Sequence, residues 1–550
     1  MSFPGQTASR PRTLLFWAAV ILLVAACSLV EACWARPMVW ADSAAGFHVW
    51  DSMRAGAAWN CYVEPDPANI AKNHEVFRTW WSPGQYMPAG LLTLAGPGLG
   101  EAVIVVTLAG ILAGLAGCWR LFKAWEFPEP VAMASVALIA LGWHTSFLFG
   151  MFNGGELALF AGFPWIAWAA TRLADKPAWL PAALPPLFLI GAFLKLSFPV
   201  VALALCAGLW LGRNDTPWRI DVRALRLAGA LGAGFAVFYA VLWAFFLSLG
   251  PTPGEAGQVV CSWPLAVGFS FTGPLLATGA FGSLISRAVF FPGAPLLTSW
   301  DQLGGVLCLL SAPAVALYAL AWKNAPGARY RGMVAGFVIG YAVLFAWLYY
   351  RGASISMDDR HFRPAAIVLI PGLVQAGRMT RRAWLRRLLI AAALLAVLYG
   401  LAGFVNRVRY IRNVDNVGVR GFTQSGMSRS ATALVHSLDL TAPATDNSIF
   451  YVTSPGVALD VSRVRTIRTH AEQESPSWLR SMRYKGRVDN LLVIKSAGTS
   501  AAQTAAVLGS FVSYDQSAWQ FHDEGDCRFY YQGAWLDSVL HGKPAPAPQP

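Results

Sequence analysis

The chain has 550 residues, of which 56% are hydrophobic and only 13% are charged. Soluble globular proteins carry about 25% charged residues, so this composition excludes a soluble protein and indicates an integral membrane protein. In a soluble chain the net charge of +13 would point to nucleic acid. In a membrane protein the position of the basic residues matters more, and no nucleic-acid partner is expected.

Long uncharged runs predict about eleven transmembrane helices, because a bilayer core about 30 Å thick needs about 20 apolar residues. The first run contains Leu23-Val-Ala-Ala-Cys27, which is similar to a lipoprotein signal, but it continues to Trp34 and so predicts an uncleaved helix. The predicted spans are 13–34, 101–119, 131–149, 157–171, 178–194, 196–212, 227–249, 303–322, 332–350, 364–377 and 388–404.

Every second connection between these spans is rich in lysine and arginine, which are retained on the cytoplasmic side of short loops. This alternation predicts a cytoplasmic N-terminus, long extracytoplasmic loops at 35–100 and 250–302, and an extracytoplasmic segment after residue 404. The Ala- and Arg-rich composition indicates a bacterial plasma (inner) membrane, with the last segment in the periplasm.

The segment 405–542 has an ordinary soluble composition and predicts a small α/β domain. Short buried strands are expected at 448–453 and 490–495, with helices at 427–438 and 499–508. The Pro-rich tail 543–550 is expected to be disordered. The predicted fold class is therefore an all-α polytopic membrane domain, 1–404, followed by a small α/β domain.

The loop 35–100 is long for a connector and rich in aromatic residues, among them Trp50, Trp80 and Trp81. Such residues either form an aromatic belt at the lipid headgroups or stack on a flat ligand. A helix is predicted at 43–55, and Asp42 stands immediately before it. Because Asp42 comes about eight residues after the first span, it is expected near the membrane interface. Asp42 is either the N-cap of that helix or a general base for a hydroxyl or amine.

Three short motifs resemble the GT-C glycosyltransferases, especially the protein O-mannosyltransferase and aminoarabinose-transferase types. The first is Asp42 after the first span, followed by Phe47 and Gly56. The second is Trp80-Trp81-Ser-Pro83-Gly-Gln85-Tyr86-Met-Pro88, similar to the turn that leads those proteins into their next helix. The third is Asp358-Asp359-Arg360-His361-Phe362-Arg363-Pro364, similar to the start of a late helix on the same side.

The resemblance implies an inverting membrane glycosyltransferase that moves a sugar from a polyprenyl-phosphate donor to a glycan, lipid or protein acceptor on the extracytoplasmic face. It implies that Asp42 is the catalytic base. Ser43 stands where a second acidic residue often follows, which makes a two-carboxylate metal site less favoured; a divalent metal is possible but not indicated. Asp51, nine residues on, is the reserve catalytic candidate, expected to face the same cavity from a later helical turn.

A polyprenyl phosphate leaves as an anion, so cations at the outer interface are expected to bind it. Lys195 lies between two apolar runs on the predicted outer side, and it either binds phosphate or reaches the lipid headgroups. Arg360, His361 and Arg363 form a second basic group that either binds phosphate or makes structural ion pairs with Asp358 and Asp359.

Three further features belong to the predicted outer side. Glu156 opens the fourth span and either binds sugar hydroxyls or complements the helix N-terminus. Cys61 and Cys261 are a possible disulfide in an oxidising compartment. Amphipathic stretches in 250–302 predict either a lid over the cavity or a packed re-entrant segment.

Two other functions fit the same sequence. One is a transporter or flippase for a lipid-linked or amphipathic solute, although such carriers usually place charges deep in their spans, and these spans are nearly bare of charge. The other is a non-catalytic assembly protein of the cell envelope, with 405–550 as its interaction surface.

Overall fold

The computed structural model describes residues 10–79, 81–213, 221–250, 262–282, 285, 297, 299–352, 355, 357–443, 447–469, 475–495 and 498–541. The helices in this part are α1 (Arg10–Cys33), α2 (Ala41–Arg54), α3 (Met87–Thr93), α4 (Leu99–Ala124), α5 (Glu129–Leu141), α6 (Trp143–Leu148), α7 (Gly154–Leu173), α8 (Leu180–Leu194), α9 (Phe198–Leu211), α10 (Val222–Phe245), α11 (Trp263–Leu276), α12 (Trp300–Lys323), α13 (Ala328–Tyr350), α14 (Arg363–Met379), α15 (Ala383–Val414), α16 (Arg429–Thr441), α17 (Pro455–Ala458), α18 (Pro476–Ser481), α19 (Ala501–Ser510) and α20 (Ala534–His541). The strands are β1 (Met38–Val39), β2 (Cys61–Asp66), β3 (Asn69–Phe77), β4 (Met151–Phe152), β5 (Ser448–Val452), β6 (Arg465–Arg468), β7 (Asn490–Lys495), β8 (Gln520–Glu524) and β9 (Cys527–Gln532).

The chain divides into two compact units. The helical unit contains residues 1–29, 106–149 and 154–407, and the mixed unit contains 30–105, 150–153 and 408–550. The predicted domain boundary after 404 lies close to 408. The predicted loop 35–100, however, belongs to the same unit as the C-terminal segment rather than to the transmembrane domain.

Each of the eleven predicted spans coincides with helix in the structure. Among the described residues, seven helices are long and apolar enough to cross a bilayer, and α5 and α9 are shorter apolar helices. The third predicted span, 131–149, is wrong in extent, because Gly142 takes an extended backbone (φ −73°, ψ 160°) that ends α5 and separates it from α6.

Large apolar side chains point outward from several of these helices. Leu14 and Leu15 of α1 are each 71% exposed, and Leu398 of α15 is 62% exposed. Apolar surface of this extent is stable against lipid rather than water. The predicted polytopic, mostly helical membrane fold with a small C-terminal sheet is confirmed.

Glycines let α9 and α13 pack with their backbones in close approach. A Cβ atom added to Gly336 would clash with the backbone of Gly208, and one added to Gly332 would clash with Gly212. Small residues at such crossings are typical of helix packing inside membranes, where close contact replaces the hydrophobic effect.

Helix α11 lies in the predicted loop 250–302 and packs against α12 and α13. Nine of its fourteen residues are buried, and they cover about two thirds of its circumference, as Leu265, Ser270 and Pro274 show. An interfacial lid would leave one polar face exposed, so α11 fits the packed-segment alternative better than the lid. Most of the remaining loop lies outside the described residues.

The mixed unit is built on a five-stranded sheet in the order β6-β5-β7-β9-β8. Strand β5 is parallel to β6 and β7, and β9 is antiparallel to β7 and β8. Successive side chains of a strand point to opposite faces, so Phe450 joins one apolar core and Ile449 the other. The predicted strands and helices of this segment are confirmed, and the tail 543–550 lies outside the described residues.

An antiparallel hairpin of β2 and β3, which the sequence did not predict, belongs to the same unit. Its tip is held by backbone hydrogen bonds to Lys485, 2.8 Å from Ile70 N to Lys485 O and 2.9 Å from Lys485 N to Pro67 O. Ile70 is fully buried in one face of the sheet's core. The hairpin is therefore tied to the C-terminal sheet by both hydrogen bonds and apolar packing.

Candidate functional site

Three candidate residues that are far apart in the sequence meet inside the helical unit. Glu156, near the start of α7, forms an ion pair with Lys195, which follows the last residue of α8. Arg360 Nε lies 4.0 Å from the same Glu156 Oε1. We call these three residues the Glu156 cluster. Their side chains are 7%, 15% and 20% exposed, in the order Glu156, Lys195, Arg360, so the charges are largely withdrawn from water.

Local backbone structure places Arg360 in this cluster. It lies in a short 3-10 turn, Asp359–Phe362, which leads directly into α14. Asp358 caps the turn by accepting a 3.0 Å hydrogen bond from Arg360 N, and its other oxygen lies 3.3 Å from Arg360 Nε. Asp359, the other predicted partner, instead accepts a 3.2 Å hydrogen bond from Gly282 N.

His361 and Arg363 lie beside the Glu156 cluster but differ in their contacts. The His361 ring stacks near Phe345, with ring centroids 6.2 Å apart. Arg363 is only 4% exposed; its Nη2 lies 3.3 Å from Thr145 Oγ1 and its Cζ 4.2 Å from the centroid of the Phe160 ring. Arg363 is therefore packed into the bundle, which fits a positioning role for the start of α14 better than direct contact with a ligand.

The arrangement can bind an oxyanion. Lys195 and Arg360 both face the one carboxylate of Glu156, and Asp358 is a further partner of Arg360. Cations that are largely withdrawn from water in apolar surroundings favour an anionic ligand. Preorganised cations also stabilise negative charge that develops on a leaving group.

Asp42 lies in the mixed unit, in the first turn of α2, where it is exposed although the next two residues are buried. The helix begins one residue earlier than predicted, at Ala41, and its N-cap residue Trp40 makes no side-chain capping hydrogen bond. Asp42 is therefore not the N-cap, although a carboxylate in the first turn still complements the helix dipole. Its exposed position leaves the carboxylate accessible.

Asp51 does not share the side of α2 that carries Asp42. Nine residues at 3.6 per turn correspond to about two and a half turns, so the two side chains point in opposite directions. Asp51 forms an ion pair with Arg420, 2.7 Å between Oδ2 and Nη2. Burial raises the pKa of Asp51, with Arg420 as the chief opposing influence. Asp51 as the reserve catalytic residue stays a prediction, and the helical period does not favour it.

The predicted aromatic residues are placed differently from one another. Trp50 is 8% exposed and packs against Gly90 of α3, so it is a core residue of the mixed unit. Trp81 lies near Arg78, whose Cζ is 5.3 Å from its ring centroid. Trp80 lies outside the described residues, as does Cys261, so the predicted Cys61–Cys261 pair is not described; Cys61 is buried.

Within the described ranges no group of three or more His, Cys, Asp or Glu side chains is placed to hold a metal ion. Sequence reasoning treated Glu156, Lys195 and Arg360 as three separate candidates. Their unusual charge within apolar stretches was the available signal, but only the packing of α7, α8 and the turn before α14 brings them together. A second group of arginines in the mixed unit was not identified, because its members come from distant segments.

No family model and no curated protein matches this sequence. Solved structures do match. ArnT from Cupriavidus metallidurans in the apo state aligns with a TM-score of 0.53 at 12% identity, covering 96% of this chain and 99% of that one. The same ArnT bound to undecaprenyl phosphate aligns with a TM-score of 0.49 at 13% identity, covering 96% and 98%.

The arabinofuranosyltransferase AftD from Mycobacteria aligns with a TM-score of 0.48 at 12% identity. The alignment covers 96% of this chain but only 40% of AftD, so this chain is much shorter than that protein. At these identities the likeness concerns the fold alone, and it is the match to apo ArnT that carries weight. The chain therefore shares the fold of ArnT, in agreement with the resemblance found in its sequence motifs.

Proposed function

We propose that this protein is a membrane glycosyltransferase that moves a sugar from a polyprenyl-phosphate donor to an acceptor on the extracytoplasmic face. The observation that carries the proposal is the Glu156 cluster, which holds the cations Lys195 and Arg360 largely away from water. The cluster lies in a helical bundle whose fold is similar to that of ArnT. ArnT itself binds undecaprenyl phosphate. A lipid phosphate is the anion whose apolar tail and charged head match an apolar bundle with internal cations.

In the proposed reaction, Lys195 and Arg360 bind the phosphate of the donor. As the bond between the anomeric carbon and the phosphate oxygen breaks, negative charge grows on that oxygen, and the two cations stabilise it. Glu156 holds both cations in position through its shared Oε1. Its role is positioning, since a carboxylate would repel the phosphate if it touched it.

Asp42 is the proposed general base. Its carboxylate would take the proton from the acceptor hydroxyl or amine as that group attacks the anomeric carbon, inverting its configuration. A base needs to be within hydrogen-bond reach of that proton, and the exposed side chain of Asp42 is open to an acceptor. We propose no metal in this step.

The same proposal includes the orientation read from the loops, with the N-terminus in the cytoplasm and the C-terminal domain in the periplasm. The acceptor class, whether glycan, lipid or protein, is left open. Trp81 remains a candidate for shaping the sugar site, whereas Trp50 serves the core of the mixed unit.

The decisive experiment is transfer from a radiolabelled polyprenyl-phosphate sugar by the purified full-length protein. Asp42→Asn is expected to abolish transfer while changing the free energy of unfolding by no more than about 0.5 kcal/mol, as is usual for an exposed substitution. Glu75→Gln, which changes another exposed carboxylate of the same unit, is the matched control and should keep full activity. Full activity of Asp42→Asn would remove Asp42 as the base.

Lys195→Met tests the donor site separately. It is expected to raise the KM for the donor and to lower kcat, because it removes a cation that contacts both the bound phosphate and the leaving phosphate. If donor KM and kcat were both unchanged, the Glu156 cluster would not be the phosphate site.

A further inference from the structure

A second charge cluster lies in the mixed unit, around the ring of Tyr62 on β2. Arg78 Cζ is 3.9 Å from the centroid of this ring, and Arg468 Cζ, from β6, is 5.2 Å from it. Tyr62 is 5% exposed, so two guanidinium groups share one buried aromatic ring. Arg420, paired with Asp51, completes what we call the arginine cluster: Arg78, Arg420 and Arg468 with the carboxylates Glu64 and Asp51.

The two carboxylates of this cluster are each paired with an arginine other than Arg468. Glu64 lies 3.3 Å from Arg78 Nη2 and 3.8 Å from His74 Nε2. Asp51 lies 2.7 Å from Arg420 Nη2. Within the part of the chain that the structure describes, Arg468 has no carboxylate within 4.0 Å; its Nε donates a 2.9 Å hydrogen bond to Thr466 Oγ1.

Electrostatics point to the same residue. Burial lowers the pKa of Arg468 to about 9, while Glu64 and Asp51 oppose this from a distance and Arg78 adds to it. Burial also raises the pKa of Glu64 and of Asp51. The charge on Arg468, a half-buried residue, is thus partly withdrawn from water and incompletely neutralised, and an oxyanion beside it would compensate for both.

We propose that the arginine cluster is a binding site for an oxyanion, with Arg468 as its central donor. Guanidinium groups bind phosphate and carboxylate through paired, charge-assisted hydrogen bonds, so the ligand is a phosphate group or a sugar carboxylate. We assign this phosphate or carboxylate group to the acceptor substrate, and that assignment rests on the proposed function. The proposal that the cluster binds an oxyanion does not depend on the proposed function.

A purely structural network is the competing explanation, in which these residues only fasten the β2–β3 hairpin to β6. The two explanations predict different effects of one substitution on the affinity for anions. Glu64 competes with an incoming anion for Arg78, so Glu64→Gln should strengthen anion binding if the cluster is a site. If the cluster is only structural, Glu64→Gln should lower the free energy of unfolding and should not raise the affinity for anions.

The test is isothermal titration calorimetry of the full-length protein in detergent, with inorganic phosphate and then glucuronate at constant ionic strength. Lys195→Met serves as the background, because it removes one of the two phosphate-binding cations of the Glu156 cluster and so weakens binding there. In that background we expect saturable binding of at least one of the two probes. The probe with the lower Kd identifies phosphate or carboxylate as the ligand.

Three variants in that background decide the assignment. Arg468→Gln is expected to weaken binding about tenfold or more, because a charge-assisted hydrogen bond to the ligand is lost. Glu64→Gln is expected to tighten binding severalfold. Arg429→Gln, whose side chain is 82% exposed, is the matched control and should bind as the parent does.

Equal affinity in Arg468→Gln and its parent, or no saturable binding of either probe, would overturn the site. So would a loss of affinity in Glu64→Gln. If the probes bind through Arg468 but no sugar is transferred by the wild type, the site stands and the transferase proposal fails. If sugar is transferred but Arg468→Gln changes neither probe affinity nor the KM for an acidic acceptor, only this inference fails.

Discussion

Two charge clusters, one in each unit, are built from the same kinds of residue in different surroundings. The Glu156 cluster lies among apolar helices, and its carboxylate is 7% exposed. The Asp51–Arg420 pair of the arginine cluster lies in the mixed unit with both side chains about one-third exposed. Because the energy of an ion pair depends on how far it is removed from water, the first pair should be much more sensitive to the loss of one partner.

The largest expected effect is that of Glu156→Gln. The substitution removes the carboxylate that pairs with Lys195 and leaves an uncompensated cation in the bundle, which should lower the free energy of unfolding by about 3–5 kcal/mol. The double variant Glu156→Gln/Lys195→Met should recover most of this loss, because it removes the unpaired charge as well. Unfolding in detergent, followed by tryptophan fluorescence, measures both.

The matched control is Asp175→Asn, which breaks the ion pair with Arg329 in the same unit. These side chains are 49% and 43% exposed, so the loss should be below about 1 kcal/mol. Equal effects of Glu156→Gln and Asp175→Asn would show that the surroundings of the two pairs do not matter, and the comparison between the clusters would fail.

A pH effect of intermediate size is expected from Asp460 of the mixed unit, which is 2% exposed. Burial raises its pKa to about 6 from an unfolded value near 3.8, although Arg420 N and Gln424 Nε2 donate hydrogen bonds to it. The folded state therefore binds the proton more tightly than the unfolded state. Stability should fall as the pH rises from about 4 to about 6, by at most about 3 kcal/mol, and then level off.

Asp460→Asn should remove this pH dependence, because the amide is neutral throughout. Hydrogen exchange of the β5 and β6 amides between pH 4 and pH 7, corrected for the intrinsic exchange rate, would measure it. Protection that rises with pH across that window in the wild type, or an unchanged slope in Asp460→Asn, would contradict the assignment.

The smallest expected effect is that of Asp51→Asn. Solvent screening at a pair this exposed limits the coupling between Asp51 and Arg420 to about 1 kcal/mol, even though the two atoms are 2.7 Å apart. A double-mutant cycle with Arg420→Gln isolates the pair from the other hydrogen bonds of Arg420. A coupling of about 3 kcal/mol or more would place this pair in the same class as the Glu156 cluster.

The helices of the membrane unit could be predicted from the sequence because apolar length is a local property. Each predicted span coincides with helix, and the error at 131–149 arose at a single glycine, Gly142, whose backbone the apolar pattern does not reveal. The β5 and β7 strands were likewise visible as short apolar runs. The β2–β3 hairpin was not, since its polar, irregular alternation carries no such signal.

The amino-acid sequence by itself determined that the protein spans a membrane many times, that it ends in an α/β segment, and that Asp42, Glu156, Lys195 and Arg360 are chemically unusual where they stand. Only the tertiary structure decided that Glu156, Lys195 and Arg360 form one cluster and that the first loop joins the C-terminal sheet. The reason is physical: hydropathy and helical period act between near neighbours in the chain, whereas an ion pair between residues 39 positions apart exists only after helices have packed.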